Sequence, residues 1–194
     1  DDQLPLRIGK RMGEGKEGTK AMVNNLQNLA MVRYDFDEKR KANGHREFRV
    51  NEQGKIVFEM QHDKHGQILW TLERTMLNGV VVSGLKKMGH PMRPNSLITL
   101  DAEDKPVSQM KIVWDDYGRE TENSFFGPEG KVPTTNPKGI HRFVRVFNPE
   151  NRVASEVWYG KEGQTLCTRN WDYSKAKPEN TMLDPMGQPC NILQ

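Results

Sequence analysis

The sequence predicts a mainly β protein of tandem antiparallel β-hairpins, forming a twisted sheet or a barrel, with one short N-terminal helix. Three observations predict it. Slid by 33 positions, Trp114-Asp115-Asp116-Tyr117-Gly118-Arg119 falls on Phe147-Asn148-Pro149-Glu150-Asn151-Arg152, and Phe125-Phe126-Gly127-Pro128-Glu129-Gly130-Lys131 falls on Trp158-Tyr159-Gly160-Lys161-Glu162-Gly163-Gln164. A fixed period of this kind marks a repeat architecture. Between the turns, apolar and polar residues alternate with a period of two, the mark of half-buried strands. Finally, only 35% of the 194 residues are hydrophobic, which suits strands that bury one face each.

Taken in order, residues 1–18 scatter Gly9, Gly13, Gly15 and Gly18 among basic residues and are expected to form an arm. They lack the strand and the Gly-Lys-Ser/Thr ending of a phosphate-binding loop. Thr19 is placed to cap a helix over residues 19–31, with Met22, Leu26 and Leu29 at helical spacing. Asn24, Asn25 and Asn28 weaken that helix. From Val32 the period is two, through Tyr34 and Phe36. The run Glu38-Lys39-Arg40-Lys41 then reads as a solvated loop. Two strand–turn units follow, with turns at Asn51–Lys55 and Asp63–Gln67. These starts lie 12 apart (63 minus 51), as do those at 115 and 127, and at 148 and 160. Residues 48–68 are therefore a diverged earlier copy.

Asn78-Gly79 between two strand-like runs predicts a type I′ hairpin, whose central residues both need positive φ. Residues 86–95 carry Gly89, Pro91 and Pro94 and read as a loop or a junction between halves 19–88 and 96–173 of one repeat domain, 19–173. Residues 174–194 read as a tail wrapping the sheet. Cys167 and Cys190 can pair or stay free.

The turn positions Gly54, Gly66, Gly118, Gly130, Asn151 and Gly163 are expected to close tight connections, Asn being the residue next most tolerant of the left-handed region. Trp114, Phe125, Phe126, Phe147, Trp158 and Tyr159 occupy equivalent places and are expected to stack from unit to unit. The aromatic–Asp/Asn–x–x–Gly–Arg turn, the 12-residue spacing and the 21-residue step to the next unit (148 minus 127) resemble the YD repeats of bacterial Rhs-type and wall-associated proteins. The YD pair stands here as Trp114-Asp115, Phe147-Asn148 and Val50-Asn51. The resemblance implies a stacked hairpin scaffold on a secreted, periplasmic or cell-surface bacterial protein, and it carries no catalytic residues.

No local motif marks a nucleophile or a cofactor site. His62, Asp63 and His65 invite a metal, but residues at i and i+3 of a hairpin face differently, so no metal site is expected. Asp115, Asp116, Glu120 and Glu122 lack the alternation of a calcium loop. Arg142-Phe143-Val144-Arg145 could stack on bases or sugars, though core aromatics on a strand explain it more simply. With 29 basic against 26 acidic residues, the charge of +3 does not point to nucleic acid. No apolar run approaches the roughly 18 residues of a membrane span. Beginning at Asp1 without Met, the sequence is expected to be a processed chain or a piece of a longer one.

The expected function is non-enzymatic: a secreted or envelope-associated scaffold that recognises a protein or cell-surface partner through its sheet face and turns. Two alternatives stand beside it. One is a β-barrel holding a small apolar ligand. The other is a hydrolase acting on glycan or peptide, which would place His45, His90 or His141 beside a carboxylate in a cleft.

Overall fold

The computed structural model describes the backbone of residues 6–7, 19–25 and 28–192, and the side chains of residues 31–192. The fourteen strands are β1 (Leu6–Arg7), β2 (Thr19–Asn25), β3 (Asn28–Phe36), β4 (Ala42–Val50), β5 (Ile56–His62), β6 (Ile68–Leu77), β7 (Val80–His90), β8 (Arg93–Leu100), β9 (Pro106–Trp114), β10 (Glu120–Phe126), β11 (Arg142–Phe147), β12 (Val153–Tyr159), β13 (Thr165–Asp172) and β14 (Glu179–Leu183). No helix occurs among the described residues. Residues of the expected helix lie instead in β2 and β3, which pair antiparallel from Thr19↔Arg33 to Asn25↔Asn28. Asn24, Asn25 and Asn28 are poor helix formers, and antiparallel strand pairing wins over a short apolar stripe. The side chains of that stripe lie outside the described residues.

The chain divides into two compact units, residues 1–94 with 98–105, and residues 95–97 with 106–194. In each, strands adjacent in sequence are adjacent in space, so each unit is a meander with a linear strand order. Among the described residues no ladder joins first strand to last, so the sheet is open and the barrel expectation is not met.

One turn is used nine times among the described residues. At Asp37, Asn51, Asp63, Asp101, Asp115, Asn136, Asn148, Gly160 and Asp184, the N–H of residue i donates to the C=O of i+4 and the N–H of i+3 donates to the C=O of i. The turn at Gly127 is one residue longer: the Gly130 N–H donates to the Gly127 C=O, but the Gly127 N–H donates to the Val132 C=O. Where residue i is Asp or Asn, its Oδ1 accepts from the backbone N–H of i+4, as at Lys55, Gln67, Arg119 and Arg152. This is a type I turn closed by a bulge residue in the left-handed region. The bulge residue is glycine at 54, 66, 118, 130, 139, 163 and 187, and Arg40, Asp104 or Asn151 elsewhere, with φ of 59°, 60° and 68° for the last three. The 12-residue spacing is thereby explained. It is one seven-residue strand, as in β5, β10 and β12, plus one five-residue turn. Arg40 is exposed and strained where glycine would not be, so Arg40→Gly is expected to raise stability by about 0.5–1 kcal/mol, measured by urea denaturation.

Asn78 and Gly79 take φ of 50° and 78°, the expected type I′ hairpin. The interval 86–95, read as a loop or as a junction between halves, is mostly strand. Strand β7 runs on to His90 and β8 starts at Arg93, with Pro91-Met92 supplying the turn. Gly89 takes φ 83°, a left-handed conformation that favours glycine. The tail is likewise built into the second unit. Strand β14 pairs with β13 from Thr168↔Leu183 to Asp172↔Glu179, one more turn follows, and Cys190 bonds Cys167 with a Cα–Cα distance of 6.2 Å.

The core is thin, as the composition requires. In the second unit Ile140, Phe143, Trp158 and Cys167 form a buried cluster, flanked by Leu166, Met182, Cys190 and Ile192. In the first unit Val50, Leu72 and Leu100 are buried. Long side chains lying across the strands do the remaining covering, the stems of arginine and lysine acting as apolar surface.

Candidate functional site

Each unit buries one glutamate between two arginines. In the second unit Glu156 on β12 stands directly opposite Arg145 on β11 and Arg169 on β13. Arg145 Nε donates to Oε1 at 3.0 Å, and Arg169 Nη1 donates to Oε2 at 3.1 Å. The Glu156 side chain is 8% exposed. In the first unit Glu59 lies 2.6 Å from Arg74 Nη1 and 3.5 Å from Arg46 Nη1, and its side chain too is 8% exposed. Asp104, hydrogen-bonded to Arg74, is the main influence raising that guanidinium's pKa, with Glu59 adding to it. Strand alternation forces the arrangement: residues directly opposite, or two along, share a face.

Aromatic rings carry the arginines. Arg145 lies over Phe143 at 4.9 Å, and Arg169 lies over Trp158 at 5.4 Å and Trp171 at 5.8 Å. In the first unit Trp70 is held between Arg46 at 5.1 Å and Lys86 at 4.2 Å. Burial, then the charge of Arg46, lowers the pKa of Lys86. Each such contact contributes about 0.5–2 kcal/mol, more as water is excluded.

In the second unit this face is concave. A groove of about 500 Å³ is floored by Phe143 and Trp158, with Arg145, Glu156 and Arg169 along it and Asn123 and Lys138 at its sides. Apolar floor, fixed charges and partial exposure together suit recognition of a side chain or chain segment. Among the expected aromatic positions, Trp158 and Phe125 line this groove. Trp158 meets Phe143 at 5.4 Å. Phe126, Phe147 and Tyr159 instead receive Lys111, Arg119 and Arg142, at 4.4, 4.1 and 5.4 Å, and Phe126 also meets His141 edge-on. Cations lying on rings thus replace much of the expected aromatic stacking: Lys111 and Arg142 reach across from the adjacent strands β9 and β11, and Arg119 from its turn. Trp114 ends β9 opposite Glu120.

The expected turn residues sit where the turns need them, away from the groove. Arg119 ties two of these turns together, bonding Asp115 in its own and Asn151 in the other. That hydrogen bond from Arg119 is the main influence holding Asp115 below the usual carboxylate range.

Of the histidines weighed for a hydrolase, His90 Nδ1 accepts from the Met92 N–H and His141 contacts the Thr134 carbonyl. His45 stands beside a carboxylate, Glu47 at 3.5 Å, and stacks on His62 at 4.1 Å. Imidazole, carboxylate and imidazole are all lone-pair donors, a set suited to ligation. His65, in the turn, is exposed and apart from this cluster.

Glu156, Arg169, Glu59, Arg46 and Arg74 escaped the sequence reading, as did the pairing of His45 with His62. The missed signal was register. Once the Asn51–Lys55 turn is fixed, facing residues on β4 and β5 sum to 107, and 45 plus 62 meets that sum. Set against protein-family models and against curated proteins, the chain matches none.

Proposed function

We propose that this protein is a non-enzymatic β-repeat binding module that recognises a protein or cell-surface partner through the grooved face of its second unit. The observation that carries the reading is the groove itself, in which Glu156 holds Arg145 and Arg169 over Phe143 and Trp158, arginine and tryptophan being among the residues most enriched at binding hot spots. The open meander favours this over the apolar-ligand barrel, since an open sheet has no interior to enclose a ligand. The Cys167–Cys190 disulfide supports a secreted, periplasmic or cell-surface setting, where disulfides persist. The turn pattern, with its likeness to YD repeats, supports the scaffold role.

The test uses a peptide and glycan display screen on the full chain, followed by affinity measurement on two variants. Asn123 faces the groove and Val113, opposite Glu122 on the neighbouring strand, faces away from it. Asn123→Arg is expected to weaken the selected binders at least 10-fold, a change of about 1.4 kcal/mol, while Val113→Arg changes affinity less than twofold. The reverse pattern would place recognition on the other face and overturn the proposal.

A further inference from the structure

We propose that His45, Glu47 and His62 form a binding site for a zinc-like divalent transition-metal ion on the first unit. The site lies on the sheet face opposite the Arg46–Glu59–Arg74 ladder, because His45 and Glu47 alternate with Arg46 along β4. It is independent of the groove reading.

Three observations build it. First, the geometry fits. His45 Nε2 lies 3.5 Å and His62 Nε2 lies 3.3 Å from the same oxygen, Glu47 Oε1. A tetrahedral ion with ligands at about 2.0–2.1 Å sets neighbouring ligand atoms about 3.3 Å apart. All the ligand atoms lie within 4.8 Å of one another, so they can supply three corners of such a tetrahedron.

Second, the tautomer fits. His62 Nδ1 lies 3.2 Å from the Gly66 carbonyl. A carbonyl can only accept, so Nδ1 carries the proton, and in the neutral ring Nε2 then presents a bare lone pair. A backbone carbonyl on the second ring nitrogen is the usual outer support of a metal-bound histidine. The Asp63–Gln67 turn supplies that carbonyl, with Gly66 as its left-handed residue.

Third, His62 Nε2 is buried and has no hydrogen-bond partner despite its nearness to Glu47. A buried nitrogen left without a hydrogen bond is costly unless something else takes its lone pair. The two rings stack at 4.1 Å, parallel within 7°, so their in-plane lone pairs run alongside each other, and a tilt of the rings about their terminal torsions turns both Nε2 atoms onto one ion. Glu47 is 45% exposed, leaving a route in for the ion and a fourth position for water. Two imidazoles with one carboxylate select ions of the zinc, copper or nickel type over magnesium or calcium.

The test is calorimetric titration of the chelator-treated full chain with Zn²⁺, alongside ¹⁵N spectra of the histidine rings. Saturable 1:1 binding is expected, with shifts confined to the His45 and His62 resonances. His45→Asn is expected to weaken binding at least 100-fold and Glu47→Gln at least 10-fold, while His65→Ala and His90→Ala leave it unchanged. Circular dichroism of each variant shows whether it has folded, and Glu47→Gln, at an exposed and isosteric position, keeps the test open if the histidine variant fails. No saturable binding at millimolar Zn²⁺, or binding undiminished in folded Glu47→Gln, overturns the proposal.

Discussion

Glu156→Gln is expected to lower the stability of the second unit by about 3 kcal/mol, measured by urea denaturation at neutral pH. The carboxylate is the shared acceptor for Arg145 and Arg169, whose side chains are 30% and 23% exposed. Removing one partner of a buried ion pair costs about 3–5 kcal/mol, because the remaining charge is stranded in a poorly solvated place. Both guanidiniums retain some water, which puts the expected value at the low end of that range. The contrasting variant is Arg145→Met with Glu156→Leu and Arg169→Met, which strands no charge. Its stability is expected within about 1 kcal/mol of the parent, since a well-packed apolar replacement of a buried ionic triad is often neutral or better. If Glu156→Gln costs less than about 1 kcal/mol, the ladder is a solvated surface feature. The groove would then lose its claim to fixed charges.

The triple variant also separates fold from function. It is expected to keep the meander, because the turns and the strand pairing do not use these three side chains. It is also expected to lose the groove's binders, because the guanidiniums that sit over Phe143 and Trp158 are gone. Such a result would mean that the ionic groups serve recognition, with stability supplied by the backbone ladders and the thin apolar core.

The strands were legible in the sequence because two local signals agree. Alternation gives the strand, and Asp or Asn followed three residues later by Gly gives the turn. Where the bulge residue is Arg40 or Asp104 the glycine signal fails, yet the turn forms, since Asp37 and Asp101 still accept the backbone N–H groups of Lys41 and Lys105. The helix expectation failed for the converse reason. The apolar spacing of Met22, Leu26 and Leu29 is local, whereas the strands that replace it depend on pairing with neighbours. The candidate sites were hidden for the same cause. Nothing near Glu156 in sequence distinguishes it from the other acidic residues. Its partners lie 11 and 13 residues away and meet it only through the register of two hairpins. His45 and His62, 17 apart in number, likewise meet only across a ladder.

Removing the Cys167–Cys190 bond is expected to cost about 3 kcal/mol. The bridge closes a loop with a sequence separation of 23, and the loop-entropy relation gives about 3.4 kcal/mol at 25 °C for that length. The double variant Cys167→Ala, Cys190→Ala adds a packing loss, because Cys167 is fully buried within the Ile140, Phe143 and Trp158 cluster. The measurement is the urea midpoint, followed by tryptophan fluorescence. Trp114, Trp158 and Trp171 all report on the second unit, against Trp70 alone in the first. The loss should also be local. Strand β14 and the Asp184–Gln188 turn are held by β13 on one side and by the disulfide beyond. Their amides should therefore lose hydrogen-exchange protection in the variant, while those of β9 and β10 change little. Equal stability of oxidised and reduced chains, within about 0.5 kcal/mol, would show that β13–β14 pairing and the packing of Met182 and Ile192 hold this end of the sheet without the covalent bond.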